Sequence, residues 1–274
     1  MKLKKNTKFK DGNQVFRILV SGNDKLVIET RDTESKEAFY HALDLTTGKK
    51  VFRDFQLDEK FWLGIEKIVD DTIIFHKYAK PDMPGHNGII AVGINEKKIL
   101  WQNDNAEFIA ADNDRIYCAR RSFGLTEFIA LNIFTGEEVE LLGRDEKVAE
   151  RLKAHADKSE DYSDYVFPEK FNAENTDKTV ESTILAYTKD LDIAGDIEYS
   201  VSDDLLIANF HYGSDRQTLT NRLIAFDYSS KKELLNVVLN SDAVMFVPDS
   251  FFIYKNSLIL IKEKKEVFIY KIVN

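Results

Sequence analysis

Short apolar runs separated by polar, turn-forming clusters set the rhythm of this chain. The clearest stretch spans residues 113–142, where three runs meet at a loop around Ser122-Phe123-Gly124 and at the tight turn Thr135-Gly136-Glu137. Val, Ile, Phe and Tyr are frequent in such runs and favour strands, whereas Gly, Asn and Asp in the breaks favour turns. The same layout recurs. Residues 15–20, 25–30, 38–45 and 49–55 read as a four-stranded antiparallel meander, and residues 63–69, 72–78, 88–94 and 98–102 as a second. A third starts at 107–111 and runs through 113–142. A fourth takes 196–201, 205–212, 222–228 and 232–239, and a fifth takes 250–254, 257–261 and 265–272.

Equivalent turns fall at Asp24, Asp71, Asp114, Asp204 and Asn256. About 40–50 residues per four-stranded unit is what a β-propeller blade needs. The pattern predicts an all-β chain, a single β-propeller domain over residues 1–274 with five four-stranded blades. The gap between Asp114 and Asp204 has double length, so six blades, one degenerate, is the alternative. Inside that gap the period changes. Residues 145–157 set Val148, Leu152 and His155 or Ala156 on one helical face behind Asp145 as N-cap. Residues 176–189 do the same with Val180, Ile184 and Tyr187 behind Thr176. The preferred reading is therefore a helical insertion at about 144–193, between blades 3 and 4. The fifth unit lacks an outer strand. Residues 2–10, basic and weakly alternating, are expected to supply it and so close the ring, because open sheet edges invite unwanted pairing.

Composition narrows the setting. With 43% hydrophobic and 12% aromatic residues in 274, a sizeable core can be buried. A formal net charge of −9 opposes duplex nucleic acid and anionic membranes, so neither is expected as a partner. The single cysteine, Cys118, allows no internal disulfide and sits in an apolar run, which points to a buried, inert thiol and a reducing compartment. The first residues carry lysines but no apolar signal-peptide core, and no run approaches the roughly 18 apolar residues of a membrane helix. A cytoplasmic location is expected.

In a propeller, successive connections alternate between two faces. Here the first-to-second and third-to-fourth turns are tight, while the longer connections 79–87, 213–218 and the insertion share the opposite face. Long loops on a rigid scaffold are where binding residues usually lie. The ligand-binding candidates on that face are Arg120, Arg121, His211, Tyr212, Arg216 and His86. Arginine forks suit carboxylate or phosphate, and Tyr with His supplies a donor and a stacking surface. The competing reading makes Arg120 and His211 braces between blades. The five histidines show no HxH, HExxH or CxxC-type spacing, so no metal and no cofactor are expected. No GxSxG, P-loop or GxGxxG occurs, and no catalytic residue is singled out. The sequence thus reads as a non-enzymatic binding module for a protein or a small anionic ligand. A hydrolase or lyase acting on an anionic or sugar-like substrate in the same channel mouth is the alternative. The oligomeric state is not assigned.

The phrase Ala42-Leu43-Asp44-Leu45-Thr46-Thr47-Gly48-Lys49 resembles the repeat phrase of quinoprotein-like β-propellers, with weaker echoes at residues 130–137 and 225–228. The resemblance implies a strand–turn–strand corner with a structural role. Quinone binding does not follow, because the regular tryptophan of the quinone-binding enzymes is missing, as are an export signal and enough blades. Phe167-Pro168-Glu169-Lys170-Phe171, before a short helix and the strand at Gly195, is similar to an uncharacterised family from Bacteroidota. That likeness implies no known activity.

Overall fold

A computed structural model of the chain describes residues 1–80, 83–122, 124–213 and 218–273, and their side chains except those of 79, 80, 83 and 84. The regular structure is mostly β, in two compact units: Gln14–Asp161, and Met1–Asn13 with Tyr162–Asn274. The chain opens with β1 (Lys2–Lys10), which belongs to the second of these.

The unit Gln14–Asp161 holds three antiparallel sheets whose strands follow chain order. The first is β2 (Gln14–Val20), β3 (Lys25–Asp32), β4 (Glu37–Asp44) and β5 (Lys50–Phe55). The second is β6 (Leu63–Val69), β7 (Thr72–Lys80), β8 (Met83–Gly93) and β9 (Lys98–Asn103). The third is β10 (Ala106–Asp112), β11 (Arg115–Ser122), β12 (Leu125–Asn132) and β13 (Glu138–Gly143), after which comes helix α1 (Lys147–Ser159). Core residues come from neighbouring sheets together. Tyr40 meets Phe75 edge-on, and Val27, Ala42, Ile73 and Val92 join them; Ile74, Ala91, Ile116, Cys118 and Ile129 form the next layer. Middle strands are apolar on both faces because both faces are covered, whereas β13 is largely exposed.

The other unit begins with two short strands, β14 (Tyr165–Val166) and β15 (Glu169–Lys170), then α2 (Lys178–Thr188). Its first sheet is built on β16 (Ile193–Ser202), β17 (Leu205–Tyr212), β18 (Leu219–Asp227) and β19 (Lys232–Ala243), with β15 added against β16. Its second is β20 (Phe251–Tyr254), β21 (Ser257–Lys262) and β22 (Glu266–Val273), with β14 added against β20 and β1 against β22. The pairing of β1 with β22 runs from Lys2 opposite Val273 to Lys10 opposite Glu266. Residues 2–10 therefore do supply the outer strand that the last sheet lacks in sequence.

One hydrogen bond repeats in all five sheets. An amide at the end of the third strand donates to the carbonyl of the first-to-second turn: Leu45 to Asp24, Ile94 to Asp71, Ile133 to Asp114 and Tyr228 to Asp204, each just past its strand, and Ile272 to Asn256, one residue before the end of β22. The turns equated from sequence are thus equivalent in backbone bonding. The third-to-fourth corner has an equally plain cause. Asp44 Oδ1 accepts from Thr47 N at 2.7 Å, Asn132 Oδ1 from Thr135 N at 3.1 Å, and Asp227 Oδ1 from Ser230 N at 2.8 Å. In each corner a short side chain stands in for a backbone acceptor. The backbone and side-chain bonds from Ser230 help hold Asp227 down to about 2. Gly48 and Gly136 follow with φ of 70° and 74°, a region open to glycine.

The helical segments start later than the sequence pattern suggests. Asp145 accepts from Lys147 N but does not cap α1, whose first residue is Lys147. Asp177, not Thr176, caps α2, accepting from Thr179 N and Val180 N. Between the helices lie β14 and β15, which extend two sheets along their first strands. Pairs of two residues each are too short to leave a periodic signal.

Cys118 is fully buried, and burial pushes its thiol up to about 12. A thiol-specific reagent is expected to leave the native chain unmodified and to label it fully in denaturant. Equal labelling rates in both states would contradict the burial.

Candidate functional site

Within Gln14–Asp161 a cavity of about 380 Å³ opens between β6, β10 and α1. Its walls are Glu66 and Lys67 from β6, His86 from β8, residues 108–111 from β10, and Lys153, Ala156, Asp157 and Glu160 from α1 and its end. Ala156 is the buried contact of α1. Lys67 crosses the space, donating to the Ala111 carbonyl at 3.1 Å and pairing with Glu160 at 3.0 Å. Lys153 and Asp157 have no ion pair or side-chain hydrogen bond with the described residues.

Three β-bulges place the chemistry. β6 pairs Ile65 with Phe75 and Lys67 with Ile74, so Glu66 is the extra, unpaired residue. β10 skips Ile109 in the same way. In β8 the register passes from Ile89 opposite His76 to Asn87 opposite Lys77, leaving Gly88, with φ 77°, as the bulge. A one-residue bulge moves every following side chain to the other face of the strand. The bulge at Gly88 therefore brings His86 to the face that His76 and Tyr78 share.

The result is a close cluster. His86 Nδ1 lies 2.7 Å from Glu66 Oε1, and His76 Nδ1 lies 2.8 Å from the same oxygen. The two imidazoles stack, with centroids 3.5 Å apart and planes 5° from parallel, and Tyr78 meets both edge-on. His76 is 4% exposed, and neither ring nitrogen has a well-directed hydrogen bond. Gly64 makes the room: a Cβ there would come within 2.9 Å of His76 Cε1. Burial acts to raise the Glu66 carboxyl, but the two imidazoles beside it outweigh that and hold Glu66 below the usual range.

The strand position of His76 is polar and buried in other sheets too. Its equivalents are Glu29 in β3 and Asn209 in β17. Glu29 is bound by Arg31 at 2.6 Å, and Asn209 donates to the Arg222 carbonyl at 3.0 Å. His76 differs in facing an acid that a bulge delivers.

The residues singled out from sequence are distributed as follows. His86 lines the cavity. Arg120 is bound by Glu138 at 2.8 Å and Glu127 at 3.3 Å. Arg121, 69% exposed at its side chain, pairs with Glu107. His211 and Tyr212 belong to the other unit. His211 is buried, which lowers its pKa, and its Nε2 accepts from Val247 N at 3.1 Å, so the proton sits on Nδ1. Tyr212 Oη accepts from Arg222 at 2.7 Å. Arg216 lies outside the described residues. Glu66 and His76 were not singled out. Strand alternation pairs His76 with Tyr78 on one face, but nothing in a sequence announces the bulge that adds Glu66.

Residues 20–101 match the model of a domain of unknown function, DUF4905. No curated protein matches. Among solved structures, the chain is similar to a europium-containing methanol dehydrogenase at 12% identity and a TM-score of 0.31, covering 96% of this chain and 52% of that one. It is similar to a quinohemoprotein alcohol dehydrogenase from Comamonas testosteroni at 9% identity and a TM-score of 0.33, over 96% and 44%. It is also similar to an uncharacterized protein from Listeria monocytogenes EGD-e at 11% and 0.33, over 100% and 98%. The chain spans about half the length of the two dehydrogenases. No described helix is long and apolar enough to cross a membrane.

Proposed function

We propose that this chain is one five-bladed β-propeller domain, with residues at about 144–193 inserted between blades 3 and 4, and that it acts as a non-enzymatic cytoplasmic binding module. Its ligand is a small charged molecule taken into the cavity between β6, β10 and α1. The carrying observation is that Lys153, unpaired among the described residues, and the Glu66–His86 pair face one concave space of about 380 Å³. That volume lies within the usual range for small-molecule sites, about 300–1,000 Å³. Lys153 meets an anionic group of the ligand, and Asp157 offers a place for a cationic one. Five equivalent turn bonds support the blade number. Of the sequence candidates, His86 is central here. Arg121, exposed although it pairs with Glu107, is the guanidinium offered to a protein partner, and Arg120, His211 and Tyr212 enter only through their neighbours. A hydrolase reading is kept as second because Glu66 and His86 form an acid–base pair at the cavity wall.

The test is a thermal-shift screen of anionic and zwitterionic metabolites, run with a chelator present. A ligand at about 100 times its Kd adds roughly 2.7 kcal/mol of stability, or several degrees in Tm. Lys153→Glu is expected to remove the shift while leaving the unliganded Tm nearly unchanged. A screen without hits, or hits indifferent to Lys153→Glu and His86→Ala, would overturn the reading.

A further inference from the structure

We infer that Glu66, His76 and His86 bind one divalent first-row transition-metal ion of the zinc type at the cavity wall. The inference builds on the reading of the cavity as the binding site and names what the site holds. One carboxylate oxygen and two imidazole nitrogens lie within 4.8 Å of one another. This mixed nitrogen and oxygen set suits zinc, cobalt, nickel or copper; calcium and magnesium prefer oxygen alone.

A second observation points the same way. Buried ring nitrogens are normally hydrogen-bonded, yet both nitrogens of His76 lack a well-directed partner although the residue is 4% exposed. Two parallel rings aimed at one carboxylate oxygen leave His76 Nδ1 poorly served as a hydrogen-bonding group. An ion bound there satisfies it.

The cluster must open to accept the ion: an imidazole binds an ion near its own plane, and the two stacked planes, 5° from parallel, share no point until one ring tilts. Donors 2.7 and 2.8 Å apart have to separate to about 3.3–3.4 Å around a tetrahedral ion with bonds near 2.1 Å. His76 is buried and keeps its place. His86, with 35% of its side chain exposed, has the freedom to move. Three protein donors leave at least one coordination position for a further ligand.

The experiment uses the full chain, freed of metal by a chelator and titrated with Zn²⁺ against a chromophoric competitor, with no organic ligand present. The expected result is one strongly bound Zn²⁺ per chain, weakened at least tenfold in Glu66→Gln and in His86→Ala. His155→Ala, which removes an exposed histidine paired with Asp112, should bind as wild type. Co²⁺ should give visible absorption that the two weakened variants lose. Circular dichroism verifies that each variant is folded, and Glu66→Gln, being isosteric, keeps the test open if His86→Ala is not. Absence of stoichiometric binding, or wild-type affinity in both variants, overturns the inference. Because the metabolite screen runs in chelator and this titration runs without metabolite, either reading can fail alone.

Discussion

Arg31→Ala is expected to destabilise the Gln14–Asp161 unit by about 3–5 kcal/mol, the usual cost of removing one partner from a buried ion pair. Glu29 is completely buried on β3, and Arg31 Nη2 lies 2.6 Å from its Oε1, with Nε at 2.7 Å. The same guanidinium donates to the Leu63 carbonyl at 2.8 Å and stands over the Phe16 ring at 4.1 Å. Truncation therefore removes a charge partner, a bond between neighbouring sheets and a stacked plane at once. Burial already raises the Glu29 carboxyl despite the opposing charges of Arg31, Arg17 and His76. A raised carboxyl binds its proton more tightly folded than unfolded, so in that window stability falls as pH rises. Without Arg31 the folded carboxyl rises further. The deficit of the variant should then be largest near neutral pH and shrink toward pH 5, as Glu29 takes up a proton. Urea unfolding of both proteins at several pH values measures this. A deficit that stays constant with pH would show that packing, rather than the unpaired carboxylate, dominates. Glu29→Leu with Arg31→Met should recover most of the loss, since an apolar pair of similar volume avoids the desolvation.

The second large effect is expected at Gly136. This residue has φ 74°, and a Cβ there would lie 2.6 Å from Trp101 Cδ2. Trp101 sits on β9 and donates its indole N–H to the Ile133 carbonyl at 2.9 Å, tying the second sheet to the corner of the third. Valine at 136 meets two independent penalties: a left-handed backbone, about 1–2 kcal/mol, and overpacking against a ring fixed by its hydrogen bond, about 1–3 kcal/mol. Gly136→Val should therefore lose about 2–5 kcal/mol, with Trp101 fluorescence altered before unfolding. Gly124, also at positive φ, has nothing within 4 Å of such a Cβ. Gly124→Val should show the backbone penalty alone, and comparable losses at both positions would refute the packing argument.

The strands were legible because their cause is local. Strands such as β17, Leu205–Tyr212, are buried almost throughout, and the chain marks them with continuous apolar runs. The corners were legible for the same reason. Asp44, Asn132 and Asp227 each bond an amide three residues on, so the residue that makes the turn lies inside the turn. The caps of α1 and α2 were each misplaced by one residue, because Asp145 and Glu146, and Thr176 and Asp177, offer competing starts side by side.

The candidate site was legible only at His86. Its partners come from β6 and β7, and they meet because Glu66 and Gly88 are extra residues in otherwise regular ladders. By itself, the sequence determined the repeating meander, its turns and the strand that β1 lends to the last sheet, because alternation, turn chemistry and spacing act over a few residues. Only the tertiary structure decided which charged groups are paired, which are buried, and that two histidines and a glutamate share one point. Those outcomes depend on register shifts of a single residue between strands, which the pattern of apolar and polar positions does not record.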